Sequence, residues 1–158
     1  MQDHPTFAQI CVPHLIEKLA AASPSKVAVT TPKQQLTYRE LDSRSNELAI
    51  QLRSMGVSPD VPVASCMESS ITMIGGALRV LKAGGAYLPL DPSHPEERLS
   101  FILRDAKTRL LLEPASAKNS FSAAVECVIR LDEEGRAVQS PSSHERTRSL
   151  PSVELTAD

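Results

Sequence analysis

Short apolar runs penned between prolines and glycines, each separated from the next by a stretch of helical periodicity, constrain this chain more than any other feature. Val27-Ala28-Val29 lies between Pro24 and Pro32, and Val63-Ala64-Ser65-Cys66 follows Pro62. Ala86-Tyr87-Leu88-Pro89-Leu90 follows Gly84-Gly85, and Leu110-Leu111-Leu112 and Val128-Ile129-Arg130-Leu131 come later. Runs this short are strands, and near-continuous apolarity marks strands covered on both faces. Helix and strand alternate along the chain, so the expected fold is α/β: a layered, largely parallel sheet with flanking helices.

The helical stretches carry their own punctuation. Pro13 interrupts the first, between Phe7 and Ala22, and one helix is expected after it. Thr37 and Glu40 form a capping box that opens the second. Leu41, Ser45, Leu48, Leu52 and Met55 then follow at alternating spacings of four and three, and Gly56 ends it. That stripe covers about two heptads, fewer than the three or four a coiled coil needs, so it reads as core packing. Ser69 or Ser70 caps a third helix running to about Ala83, apolar on most sides and containing Gly75-Gly76. Ser93 and Glu96 suggest a second capping box before Leu99, Ile102, Leu103 and Ala106. Pro89 marks its strand as an edge or a strand end. Ser116 to Val125 reads as a further helix. Past Asp132, Ser, Pro, Arg and Glu dominate and the periodicity fades, which divides the chain into a folded part, 7–131, and a linker or disordered tail, 132–158.

With 41% apolar and 23% charged residues and a net charge of −2, the 158-residue chain has the composition of a soluble globular domain. Aromatic residues are only 3%, and no stretch interleaves them with Lys or Arg, which argues against a nucleic-acid partner. Cys11, Cys66 and Cys127 are too far apart for a disulfide framework or a zinc pair. Met1 to Ile10 lacks a basic segment followed by an apolar core, and no run nears the ~20 apolar residues that span a bilayer. A cytoplasmic protein with no membrane partner is expected.

Each residue able to carry chemistry has a plainer role that suits it better. Gly75-Gly76 and Gly84-Gly85 fit neither GxGxxG nor GxxxxGK[ST], and read as packing and helix termination. His4, His14, His94 and His144 show no metal-ligand spacing. Cys66 follows a strand but has no assigned base, and a small buried thiol is common. Glu96, Glu97 and Arg98 suit a solvated helix start. Asp91, between Leu90 and Pro92, fits an Asx-type turn. Tyr38 reads as a packed ring, and Lys82 as a solvated or snorkelling amine.

Two segments go beyond generic α/β character. Leu36-Thr37-Tyr38-Arg39-Glu40-Leu41 resembles the first signature of nonribosomal peptide synthetase adenylation domains, L-[TS]-Y-x-E-L. The twelve residues Leu81 to Pro92 resemble the second, L-K-A-G-x-A-Y-[VL]-P-[LI]-D. Asn46, Leu48 and Ala49 match the family's N-x-L-A, and Pro95, Arg98, Leu99, Ile102, Leu103 and Asp105 match its P-x-x-R-L-x-x-I-L-x-D. The resemblance spans Ile10 to Leu112; Glu68-Ser69-Ser70 departs from the usual E-R-S, and Thr72 replaces a frequent acid.

The resemblance implies the opening part of the N-terminal lobe of an AMP-binding, adenylate-forming enzyme. Full-length relatives use ATP and Mg to convert an amino acid to an aminoacyl-adenylate and pyrophosphate, then load it on the phosphopantetheine of a carrier-protein partner. The family's phosphate loop would follow shortly after this sequence, with Leu150 to Asp158 resembling the spacer before it. Its catalytic lysine and side-chain pocket would come later still. The expectation is therefore a truncated fragment, inactive alone, with no catalytic, cofactor-binding or metal residue carried over and apolar edges left for the remainder to cover. The two other readings are a non-catalytic module that binds a synthetase or carrier protein, and a fragment of an acyl-CoA ligase relative.

Overall fold

A computed structural model describes residues 11–68, 70–118, 121 and 123–138. The elements in chain order are α1 (Val12–Ala22), β1 (Val27–Thr30), β2 (Gln35–Thr37), α2 (Tyr38–Ser54), β3 (Pro62–Cys66), α3 (Ile71–Ala83), β4 (Ala86–Leu90), α4 (Glu96–Asp105), β5 (Leu110–Pro114), β6 (Cys127–Leu131) and β7 (Ala137–Val138). Pro13 is accommodated in the first turn of α1, where its missing N–H is no loss.

Five strands form one sheet in the order β4-β3-β5-β6-β7. The β4/β3, β3/β5 and β5/β6 pairs are parallel, and β7 returns antiparallel along β6. Alternation along the central strands supplies two cores. Val63, Leu110, Leu112 and Ile129 point to one face and pack with Leu48, Leu52 and Val80 of α2 and α3. Ala64, Cys66 and Leu111 point to the other and pack with Leu99 and Leu103 of α4. The result is three layers, with α1 laid against α2 and α3 on the outside. Pro89 sits in β4, an edge of this sheet, where a residue without an N–H is tolerated.

Ser45 lies fully buried in the α2 stripe because its hydroxyl donates back to the Leu41 carbonyl at 2.5 Å. Gly56 stops the helix at φ +90°. The capping box at its start is complete: Thr37 Oγ1 accepts from Glu40 N at 3.3 Å, and Glu40 Oε2 accepts from Thr37 N at 2.8 Å. These bonds to Thr37 hold the Glu40 carboxyl below its ordinary range. A carboxyl depressed in the folded state stabilises at pH above its unfolded value, and that contribution disappears as pH falls through the folded value. Thr37→Ala is expected to cost about 1 kcal/mol at pH 7 in urea unfolding, with the difference from the native chain shrinking toward pH 3. A pH-independent difference would mean that the Thr37 hydroxyl, which donates to Glu40 Oε2 at 2.9 Å, contributes nothing through the carboxylate, since the backbone N–H of residue 37 keeps its bond in the variant.

Several expectations are corrected. β1 is not a buried sheet strand: it pairs antiparallel with β2 in a separate hairpin, and Val27 is 45% exposed. Leu36 and Thr37, expected only to lead into α2, belong to strand β2. Helix α4 starts at Glu96 with Pro95 as its cap and no side-chain cap bond, so Ser93 and Glu96 form no capping box. The backbone N–H of Ser93 is instead taken by Asp91 Oδ1. Among the described residues of 116–125 there are turns and no helix. Helix α3 is not covered all round, since Ile74 and Leu81 are exposed.

Lys82 is the largest correction, because its amine is neither solvated nor snorkelling. Its side chain is 4% exposed, and Nζ lies 2.5 Å from Asp42 Oδ1, 2.6 Å from Asn46 Oδ1 and 3.5 Å from Glu17 Oε1. Periodicity cannot reveal this, since the partners lie 36 and 40 positions upstream and 65 for Glu17. The ammonium ties α3 to α2 and α1, and Arg53 of α2 donates to the Lys82 carbonyl. Residue 131, where composition ends the folded part, is followed by a turn and β7; residues 139–158 lie outside the described residues.

Candidate functional site

In a parallel sheet ligands bind beyond the carboxyl ends of the strands, where successive connections leave toward opposite sides. Here β3 leads through α3 to its neighbour β4 on one side, while the adjacent strand β5 leads on to its neighbour β6 on the other. The β3/β5 gap is therefore the switch point. A crevice of about 1080 Å³ opens there. Cys66 and Met67 at the end of β3 and Glu113 at the end of β5 line its depth, and the β1–β2 turn, Thr31 to Gln34, stands at its rim. That turn is closed by Thr31 N donating to the Gln34 carbonyl at 2.8 Å.

Glu113 is 1% exposed. It faces Arg130, its register partner on β6, whose Nε donates to Oε1 at 3.0 Å. Oε2 has no hydrogen-bond partner among the described residues. The Cys66 thiol lies on the same face of the sheet. Burial first, and then the charges of Glu113 and Asp91, push it above the ordinary thiol range, so it stays protonated at neutral pH and is a poor nucleophile.

An adjoining depression of about 620 Å³ is lined by Leu90, Asp91, Pro92, Ser93 and Arg98. Asp91 Oδ1 accepts from Ser93 N at 2.9 Å, forming the expected Asx turn, and this bond holds its carboxyl below the ordinary range. The signature stretch from Leu81 thus runs from one end of the sheet to the other: Gly84, at φ +90°, ends α3 below the amino end of β4, and Asp91 emerges at the carboxyl end beside the crevice. Gly85 is packed so tightly that an added Cβ would lie 2.6 Å from Val57 Cγ1 and 3.1 Å from the Val61 carbonyl.

Both glycine pairs are accounted for without phosphate. Gly84-Gly85 stands at the end of the sheet opposite the crevice, and Gly75-Gly76 lies inside α3, where a Cβ on Gly76 would meet Ser65, Met67 and Leu112 at ordinary contact distances of 3.8–3.9 Å. His94 lines the crevice, and His14 sits on α1 with Nδ1 2.9 Å from Cys11 Sγ. His4 and His144 lie outside the described residues. Tyr38 is half-buried at the start of α2, and Lys82 is in the helix layer, away from the crevice. Thr72, one of the two departures from the family pattern, donates to the Glu133 carbonyl at 3.3 Å and so ties α3 to the β6–β7 turn.

Glu113, Arg130 and Arg79 escape a reading by periodicity. The one available signal for the first two is a charge at the end of an all-leucine strand and another inside its neighbour. The crevice does not fit a nucleoside triphosphate with its metal. Its lining carboxylates, Glu68, Glu96, Glu113, Asp132 and Glu133, outnumber its lysines, Lys33 and Lys118, so a polyphosphate would be repelled. No three His, Cys, Asp or Glu side chains converge as metal ligands among the described residues.

The sequence matches the family described as AMP-binding enzyme over residues 16–157. It is 44% identical over 126 residues to tyrocidine synthase 3 of Brevibacillus parabrevis, covering 78% of this chain and 2% of that one. It is 51% identical over 110 residues to bacitracin synthase 3 of Bacillus licheniformis, covering 70% of this chain and 2% of that one. A crystal structure of a nonribosomal peptide synthetase, FmoA3, superposes with TM-score 0.72 at 28% identity, covering 77% of this chain and 13% of that one. The chain thus spans a small part of the proteins it matches. Among the described residues no helix is long and apolar enough to cross a membrane.

Proposed function

We propose, because the chain belongs to the AMP-binding enzyme family, that it forms the opening part of the N-terminal lobe of an amino-acid-activating adenylation domain in a nonribosomal peptide synthetase. The observation that carries this is the identity of 44% over 126 residues and 51% over 110 residues to peptide synthases. In the intact domain an amino-acid carboxylate displaces pyrophosphate from ATP, and the acyl-adenylate then acylates a carrier protein's phosphopantetheine. The present residues supply walls and helix packing. Asp91 closes the turn at the crevice mouth, and Lys82 ties α3 to α2 and α1; the groups that meet ATP and Mg are assigned to other parts of the domain. The same reading expects a cytoplasmic protein working within a larger synthetase.

A non-catalytic binding module and an acyl-CoA ligase piece are less well supported, since the curated relatives above are peptide synthases. The discriminating experiment is amino-acid-dependent ATP–pyrophosphate exchange. The 158-residue chain alone is expected to show none. A bacitracin synthase 3 adenylation domain whose corresponding segment is replaced by Ile10–Leu112 is expected to retain exchange within about tenfold, about 1.4 kcal/mol of transition-state stabilisation. Robust exchange by the isolated chain, or a folded but inactive chimera, would overturn the proposal.

A further inference from the structure

The turn between β6 and β7 is better bonded to itself than to the helices it lies on. Gly135 N donates to the Asp132 carbonyl at 2.9 Å, Asp132 N to the Arg136 carbonyl at 3.0 Å, and Arg136 N to Asp132 Oδ1 at 2.7 Å. Among the described residues two hydrogen bonds join it to the helix layer. Arg44 Nη1 donates to the Glu134 carbonyl and Thr72 Oγ1 to the Glu133 carbonyl, both at 3.3 Å, longer than the usual ~2.9 Å. Both bonds are exposed, where water competes for donor and acceptor, so each holds the turn weakly.

What the turn covers works against it. The Arg79 guanidinium lies beneath Gly135, 3% exposed, with Nη1 unpartnered among the described residues. Its Nε bonds the Arg44 carbonyl, which belongs to the helix layer and stays in place when the turn moves. Burial and the nearby Arg44 charge disfavour the cation there, and Asp132 and Glu47 offset part of this. A buried guanidinium with an unmet N–H is costly, and the cost disappears once water reaches it. Lifting the turn therefore exchanges two weak bonds for the hydration of a cation, while Leu131, 1% exposed in β6, keeps the strand behind it anchored. The turn is also a wall: Asp132 and Glu133 line the switch-point crevice together with Thr72, and Cys66 lies in its depth. We propose that residues 132–136 form a flap that lifts off α3 as a unit while the sheet stays folded, and that this flap gates the crevice from the α3 side.

The test uses the full 158-residue chain. Phenylglyoxal labels guanidinium groups that solvent reaches, iodoacetamide labels thiols, and peptide mass spectrometry resolves the sites. A local opening exposes little surface and depends weakly on urea, whereas global unfolding depends on it steeply. Between zero and about 1 M urea, labelling of Arg79 and of Cys66 is expected to rise less than about twofold, while amide exchange of Leu111 and Leu112 in β5 rises at least about fivefold. Thr72→Val, which removes one of the two ties, is expected to speed labelling of Arg79 and of Cys66 about threefold and to leave exposed Cys11 and the β5 amides unchanged. Arg79 labelling that follows urea as steeply as the β5 amides, labelling that Thr72→Val does not move, or a Cys66 rate that stays fixed while Arg79 quickens would each overturn the proposal. Should Thr72→Val fail to fold, the urea comparison in the native chain decides. None of these outcomes bears on the chimera's exchange activity.

Discussion

Asp42→Ala is expected to lower the unfolding free energy by about 3 kcal/mol, whereas Lys82→Met lowers it by only about 1 kcal/mol. The asymmetry follows from which partner is buried. The Lys82 side chain is 4% exposed and Asp42 21%. Deleting Asp42 leaves the ammonium inside the helix layer with a neutral amide, Asn46, and with Glu17, 3.5 Å away and half-exposed. Deleting the ammonium leaves a carboxylate that water reaches and that Asn46 Nδ2 still approaches at 3.4 Å. Methionine fills the space of the lysine stem, so no cavity opens. Urea unfolding of the two variants and of the double variant checks this, and the double variant should be more stable than Asp42→Ala alone. Equal costs for the two single variants would show that the Lys82 amine is hydrated.

Gly135→Ala is expected to cost about 2–3 kcal/mol, from backbone strain and overpacking together. Gly135 turns β6 into β7 at φ +76°, in the left-handed region that a Cβ disfavours. An added Cβ would also lie 2.6 Å from Arg79 Nη2 and 2.7 Å from Nη1. That guanidinium cannot easily retreat. It is 3% exposed, its Nε donates to the Arg44 carbonyl at 3.2 Å, and Nη1 has no partner among the described residues. Burial, and then the nearby Arg44 charge, bring Arg79 down to about 10. Arg79→Met removes the obstruction, so in the double variant the Gly135→Ala cost should fall to about 1 kcal/mol, the left-handed backbone strain that remains. Thermal or urea unfolding of the four chains measures the coupling, and additive costs would mean that the turn meets α3 elsewhere.

These two sites also mark where sequence reading reaches its limit. Asn46 and Lys82 are legible as members of two separate family patterns, N-x-L-A and the second signature, but not as hydrogen-bonded partners. Each signature is a local pattern, and the bond joins helices 36 residues apart. Arg79 gives no signal because an arginine in a helix of mixed face reads as a surface charge; only the β6–β7 turn folding over α3 buries it. Ser93 reads as a helix cap because cap residues and Asx-turn residues share a chemistry, and the start of α4 at Glu96, behind Pro95, is what separates the two.

Sequence by itself determined the layer architecture, the parallel character of the sheet, most helix boundaries and the family. Those depend on apolar period, caps and glycines, which act within a few residues. Only the tertiary structure decided which strands neighbour one another, and hence that β3 and β5 flank the crevice, that Glu113 lies in its depth with one oxygen unmet, and that Lys82 is buried. The physical reason is that pairing order and burial of charge come from distant segments meeting, where an ion's cost depends on what stands opposite it and not on its own neighbours in the chain.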